Sequence, residues 1–219
     1  MDRIDGAVFK LEELPDNELV LKAQQGDKKS FAVLAIRHSQ KVYRMAWGVL
    51  RNEADAEEIA QESFMKALEK ISSFRGEAQF STWLIQITLN EARMRLRKYR
   101  PRLHESIDEV SDDTDEFRPK DLRDWRLNPE ERLSQRELQI LLEKSMGKLS
   151  RKYREILLLR DVELLSNGEA ARVLGISLAA AKSRSSRARL MMREFLTPYL
   201  KVPWHERIFR KYAEKGRSL

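Results

Sequence analysis

The sequence predicts an all-α protein of two small helical domains, an N-terminal helical bundle and a C-terminal helix-turn-helix domain, joined by an acidic flexible linker. Three observations predict it. Of 219 residues, 35% are charged while only eight are Gly and six Pro, a balance that suits helices and leaves few turn-formers for a strand-rich fold. Apolar residues recur at helical spacing in both halves. Between the halves, Glu105 to Glu116 holds seven acids and no Lys or Arg, opened by Pro101 and followed by Pro119 and Pro129. With 42% hydrophobic residues the chain can furnish two cores of roughly 80 residues each, near the lower limit for independent folding.

In the first half, Asn52 followed by Asp55 starts a helix. Ala60, Phe64, Ala67, Leu68 and Ile71 fall on its inner side, and Glu53, Asp55, Glu57 and Glu58 sit near its positive end. Its outer face presents Asp55, Glu58 and Glu62, which suits either solvation or a basic partner. From Thr82 to Lys98, at about 100° per residue, Gln86, Asn90, Arg93 and Arg97 form one polar stripe. Trp83, Ile87 and Met94 flank it on one side, and Ile85, Leu89, Ala92 and Leu96 on the other. Trp83 reads as core. Gln, Asn and Arg pair with base edges and phosphates, so the stripe is a candidate nucleic-acid reader, the alternative being a plain exposed face.

In the second half, Ser166 and Glu169 form a capping box, and Ala170, Val173 and Leu174 turn inward. Gly175 is placed to end that helix in the left-handed conformation, and Ser177 caps the next. On that next helix Leu178, Ala181, Ser185, Ala188, Met192 and Phe195 line one side. Lys182, Ser186, Arg189 and Arg193 line the other, with Ser183 and Arg187 alongside. Small and basic residues near a helix start are what entry into a major groove about 12 Å wide requires. Beyond Pro198, residues Trp204, Ile208, Phe209 and Tyr212 make a short basic amphipathic helix. It could pack on the second domain, dock a regulator or touch anionic lipid.

Charge and composition narrow the function. The net charge of +7 is too small to identify nucleic acid alone, but Arg93 to Arg100 and Lys182 to Arg193 each carry five basic residues and no acid. Zero cysteines exclude disulfides, thiolate metal sites and a thiol nucleophile. No stretch has the ~18 apolar residues of a membrane span and no signal peptide is evident, so a soluble, cytoplasmic protein is expected.

The run from Asp55 to Ala67, the segment Phe74-Arg75-Gly76-Glu77-Ala78-Gln79-Phe80-Ser81-Thr82-Trp83-Leu84 and Ile87 to Asn90 resemble the second domain of extracytoplasmic-function sigma factors. Lys182-Ser183-Arg184 with Arg187-Ala188-Arg189 resembles the fourth domain of the same family. The resemblance covers roughly residues 15 to 198. It implies a subunit, without catalysis, cofactor, metal or small-molecule substrate, that docks on bacterial core RNA polymerase and opens promoter DNA. The implied division is an extension over 1–14, a minus-ten domain over 15–100, a linker over 101–133, a minus-thirty-five domain over 134–198 and a tail over 199–219.

The residue roles are implied in the same way. Asp55, Glu58, Gln61 and Glu62 would dock on the polymerase clamp helices. Lys66, Phe74 and Asn90 would hold a flipped minus-ten base, whose unstacking cost is offset by contacts available only to the open strand. Gln86, Arg93 and Arg97 would follow the same strand. Lys182, Ser183, Ser186 and Arg187 would face minus-thirty-five bases, with Arg184, Arg189 and Asn167 nearer phosphates. The linker would thread the RNA channel, and an anti-sigma factor is an expected partner.

This sequence departs from the family in carrying Ala179-Ala180-Ala181 for a Gly-Thr-Val-like triplet, and Ser185 and Ser186 where a bulky side chain is usual. Both changes remove anchoring contacts. The alternatives are a stand-alone helix-turn-helix regulator and, from another class, a metal-dependent nuclease using Asp108, Asp112, Asp113 and Asp115. That acidic stretch lacks the periodicity to preorganise metals, and His38, His104 and His205 are scattered.

Overall fold

In a computed structural model, residues 11–99 and 135–200 are described. Eight helices and no strand are found among them. α1 spans Asp16–Gln24, α2 Lys28–Leu50, α3 Glu53–Lys70 and α4 Phe80–Tyr99. In the second half α5 spans Gln135–Lys148, α6 Arg151–Leu157, α7 Asn167–Leu174 and α8 Leu178–Leu200. The acidic linker and the tail beyond Leu200 lie outside the described residues.

Local chemistry sets the helix starts. The Asp27 carboxylate accepts from Lys29 N at 3.0 Å and Ser30 Oγ at 2.6 Å, opening α2. Asn52 Oδ1 accepts from Asp55 N at 2.9 Å, opening α3 as its spacing predicts. The reciprocal Ser166 and Glu169 box opens α7, and the Glu169 carboxyl is held below the usual glutamate range chiefly by its hydrogen bonds with Ser166. α7 ends at Gly175 with φ 68°, and Ser177 Oγ accepts from Ala180 N at 3.1 Å to start α8.

One core lies within the first half, where Leu19, Leu34, Val42, Ala67, Phe80 and Leu84 from α1 to α4 meet. A second core crosses between the halves. It joins Met45, Val49, Ile59, Ile85 and Leu89 to Tyr153, Ile156, Leu158, Leu159, Ala170 and Val173. Gly48 makes this close approach possible, because a Cβ there would stand 2.7 Å from Leu158 Cδ1. After Leu157 the chain widens into a π turn over Leu158–Val162 that keeps Leu158 and Leu159 in the core.

Three expectations are corrected. Leu68, Met94 and Leu178 are 36%, 43% and 49% exposed rather than packed on apolar sides. Met94 faces the open side among Arg93, Arg97 and Arg151, and Leu178 is in the first turn of α8. Pro198 lies inside the last helix, which continues to Leu200 and forfeits one hydrogen bond so close to its end.

Gly175→Ala is expected to lower stability by about 1 kcal/mol, because no atom lies within 4 Å of the added Cβ and only the left-handed backbone is penalised. Urea denaturation checks this, with Gly175→Asn expected to lose less.

Candidate nucleic-acid interface

The segment between α3 and α4 is built to hold Phe74 in place. Gln24 Nε2 donates to the carbonyls of Ile71 at 3.0 Å and Phe74 at 2.8 Å, which fixes the backbone. The Phe74 ring meets Trp83 at a centroid distance of 5.1 Å and Phe80 edge-on at 6.0 Å. Beside it lies a cavity of about 280 Å³ with Thr82, Trp83 and Gln86 on one side and Arg172 and Val173 of α7 on the other. Thr82 Oγ1 is buried and makes no hydrogen bond, and Trp83 is half-buried, packed at the edge of the first core.

The three residues expected to form one base pocket are not together. Phe74 lines the 280 Å³ cavity, while Asn90 lines a separate cleft of about 470 Å³ with Arg93, Arg97 and Arg151. Lys66 is ion-paired with Glu91, whose side chain is 9% exposed. Thr82 was missed, although it continues the stripe one turn before Gln86.

Along that stripe Gln86, Asn90 and Arg97 are exposed, as periodicity predicts, but Arg93 is engaged. Its Nε lies 3.1 Å from Glu155 Oε1 and its second nitrogen 2.6 Å from Oε2, a bidentate pair with a carboxylate 4% exposed. The partner is 62 residues away and belongs to α6. Local periodicity contains no sign of it.

The outer face of α3 also differs from a bare acidic surface. Arg95 of α4, 10% exposed, reaches Asp55 at 3.0 Å, Glu58 at 2.6 Å and Glu62 at 3.4 Å. The Arg95 hydrogen bond holds the Glu58 carboxyl below its usual range. Three carboxylates around one guanidinium leave the face net negative, with Gln61 exposed beside it.

On α8, Lys182, Ser183, Ser186 and Arg189 are exposed, while Arg184 and Arg187 are half-buried. Arg189 makes a second bidentate pair, Nε with Asp161 Oδ2 at 3.2 Å and its second nitrogen with Oδ1 at 2.6 Å, and this hydrogen bonding raises its pKa further. Asn167, Lys182, Ser186 and Arg189 line one cleft of about 270 Å³. Ser185 is buried with no partner for its hydroxyl, so of the two serines replacing a bulky residue only Ser186 faces outward.

Comparison with known proteins decides the assignment. Residues 34–102 match Sigma-70 region 2 and residues 139–192 match Sigma-70, region 4. The chain is 34% identical over 191 residues to the ECF RNA polymerase sigma-E factor of Haemophilus influenzae, covering 86% of this chain and 99% of that protein. It belongs to the extracytoplasmic-function sigma factor family. Among solved structures, the sigma factor RpoE of Bartonella quintana in complex with the anti-sigma factor NepR is similar with TM-score 0.58 and 25% identity, over 77% of this chain and 98% of that one. CnrH in complex with the cytosolic domain of CnrY shares the fold, with TM-score 0.59 and 24% identity over 84% of this chain and 97% of that one.

As an alternative sigma factor, the protein directs RNA polymerase to specific promoters. Its regions 2 and 4 are packed face to face here. Besides Arg93 with Glu155, Arg51 donates to the Glu143 carbonyl at 2.9 Å. Arg154 donates to the carbonyls of Leu149 at 2.8 Å and Val49 at 3.4 Å, and burial is the main cause lowering its pKa. Glu163, 2% exposed, has Lys41 at 3.4 Å and Arg44 at 3.5 Å, ion-pair contacts too long for good hydrogen bonds. Closure therefore places region 4 against the cavity beside Phe74.

Arg93→Ala is expected to cost about 3 kcal/mol, since it leaves the buried Glu155 carboxylate with only Arg151, at 3.8 Å, as a cation. The double variant Arg93→Ala, Glu155→Ala should recover part of that loss in a urea-denaturation cycle.

Proposed function

We propose that this sigma factor uses the cavity beside Phe74, with Thr82, Trp83 and Gln86, to capture a base flipped from the minus-ten element. Asn90 and Arg97 then follow the melted strand. The observation that carries this is an aromatic-walled cavity with an unpaired buried hydroxyl, on the segment of region 2 that the family resemblance points to. Lys66, tied to Glu91, supports α4 instead of touching the base. Residues 15–100 form the minus-ten domain and 134–198 the minus-thirty-five domain, in which Lys182, Ser183, Ser186 and Arg187 face bases and Arg184, Arg189 and Asn167 the phosphates. The face bearing Asp55, Glu58, Gln61 and Glu62 docks on core polymerase.

The protein itself catalyses nothing and works in the cytoplasm. Arg172 and Val173 line the Phe74 cavity, so a base enters only after region 4 swings away. Docking on polymerase, which separates the two reading surfaces along a promoter, favours that opening. An anti-sigma factor, such as those bound to the solved relatives, would hold the closed form.

Run-off transcription with purified core polymerase on promoter fragments tests this assignment. Transcripts should need both components, whereas tight duplex binding by the protein alone without transcripts would favour a stand-alone regulator. Asn90→Ala is expected to weaken minus-ten discrimination with no loss in a polymerase pull-down, because it is exposed on α4 away from the acidic face. Arg187→Ala should cost ~1 to 3 kcal/mol of binding on promoters that depend on the upstream element, measured against upstream-sequence variants.

A further inference from the structure

A larger cavity, about 790 Å³, opens where α2 of region 2 meets α5, α6 and α8 of region 4. Its apolar walls are Trp47, Leu142, Met146, Leu158, Met192 and Leu196. Leu142 is 38% exposed, and Trp47, Met146, Met192 and Leu196 are only half-buried. A groove of that kind accepts the apolar stripe of a helix.

We propose that this groove is the docking site of the chain's own C-terminal segment, residues 204–212. The position of the chain end carries the assignment. α8 lines the groove from Arg189 to Leu196 and runs to Leu200, so the remaining residues 201–219 begin about one turn beyond its mouth. With Pro203 suited to the first position of a returning helix, Lys201-Val202 would be a two-residue connection, within the usual two to five of a helical hairpin. From Trp204 to Tyr212 such a helix covers about 12 Å, against about 10 Å from Arg189 to Leu196 on α8. Trp204, Ile208, Phe209 and Tyr212 supply its apolar stripe, while Arg207, Arg210 and Lys211 fall outside it.

Charge sets the character of the contact. Arg44, Arg51, Arg189 and Arg193 line the groove against Glu143 and Asp161, so its rim is net basic like the tail. The docking is therefore apolar in origin, and salt should leave it intact or tighten it. An acidic partner helix in the same groove would be weakened by salt. Seated there, the tail touches α2 of one region and α5, α6 and α8 of the other, and so ties the two together.

The test uses the full chain with isotopically labelled methionine methyls. Met146 and Met192 line the groove, whereas Met65 and Met94 are exposed elsewhere. Methyl-to-ring nuclear Overhauser contacts from Met146 and Met192 to Trp204 and Phe209 are expected. They should be unchanged on dilution and persist from about 0.1 M to about 1 M salt. Trp204→Asp with Phe209→Asp should abolish them and shift Met146 and Met192, while an unmoved signal from Met45, buried in the core that both regions share, shows that the fold survives. Three results would overturn the proposal: no such contacts in the unaltered chain, contacts only between differently labelled chains in a mixed sample, or loss at high salt. No polymerase or DNA is involved, so the outcome is independent of the transcription assay.

Discussion

A carboxylate removed from water must find a cation, and Glu155 finds its hydrogen-bonded one across the seam between the two regions, with Arg151 of its own helix standing 3.8 Å away. The Glu155 side chain is 4% exposed, and a buried carboxylate left alone costs several kcal/mol. Arg93 answers from α4 with both arms of its fork, and two parallel hydrogen bonds fix orientation as well as distance. That orientation sets α4 against α6 and α7. Apolar surface then supplies most of the stabilisation, with Leu158 seated against Gly48 and with Ile85, Leu89, Ile156 and Leu159 fully buried.

In the function proposed above, closure and DNA reading compete for the same surface. Arg93 belongs to the stripe on α4 yet is held by α6, and the cavity beside Phe74 has α7 as part of its wall. Region 2 keeps its first core on opening, because that core lies wholly within it. Only the second core is divided between the regions. Opening exposes that apolar surface, which suits a protein that binds a large partner when it opens.

Features written within a few residues of one another were legible in the sequence. The Asn52 cap, the Ser166 and Glu169 box, the Gly175 end and the exposed positions of Gln86, Asn90 and Arg97 each depend on one or two helical turns. The family motifs likewise carried the order of the two regions. Contacts between distant segments were hidden. Arg93 and Glu155 are 62 residues apart, and the placement of Arg95 among Asp55, Glu58 and Glu62 depends on how α4 crosses α3. Thr82 stood on the visible stripe but needed the cavity to give it meaning. The split of Phe74 from Asn90 likewise follows from the shape between helices.

The pairing of Arg189 with Asp161 bears on the ionic atmosphere of the promoter complex. DNA binding is strengthened by the cations a phosphate releases when an arginine replaces them, and the steepness of its salt dependence counts those replacements. Arg189 arrives already neutralised by its own bidentate carboxylate. In the phosphate contact proposed for it, Arg189 would leave Asp161 without that partner, and the bared carboxylate would gather counterions of its own. The net release under that proposal is smaller than a tally of basic residues on α8 suggests, and binding through this helix would be less sensitive to ionic strength than its composition implies.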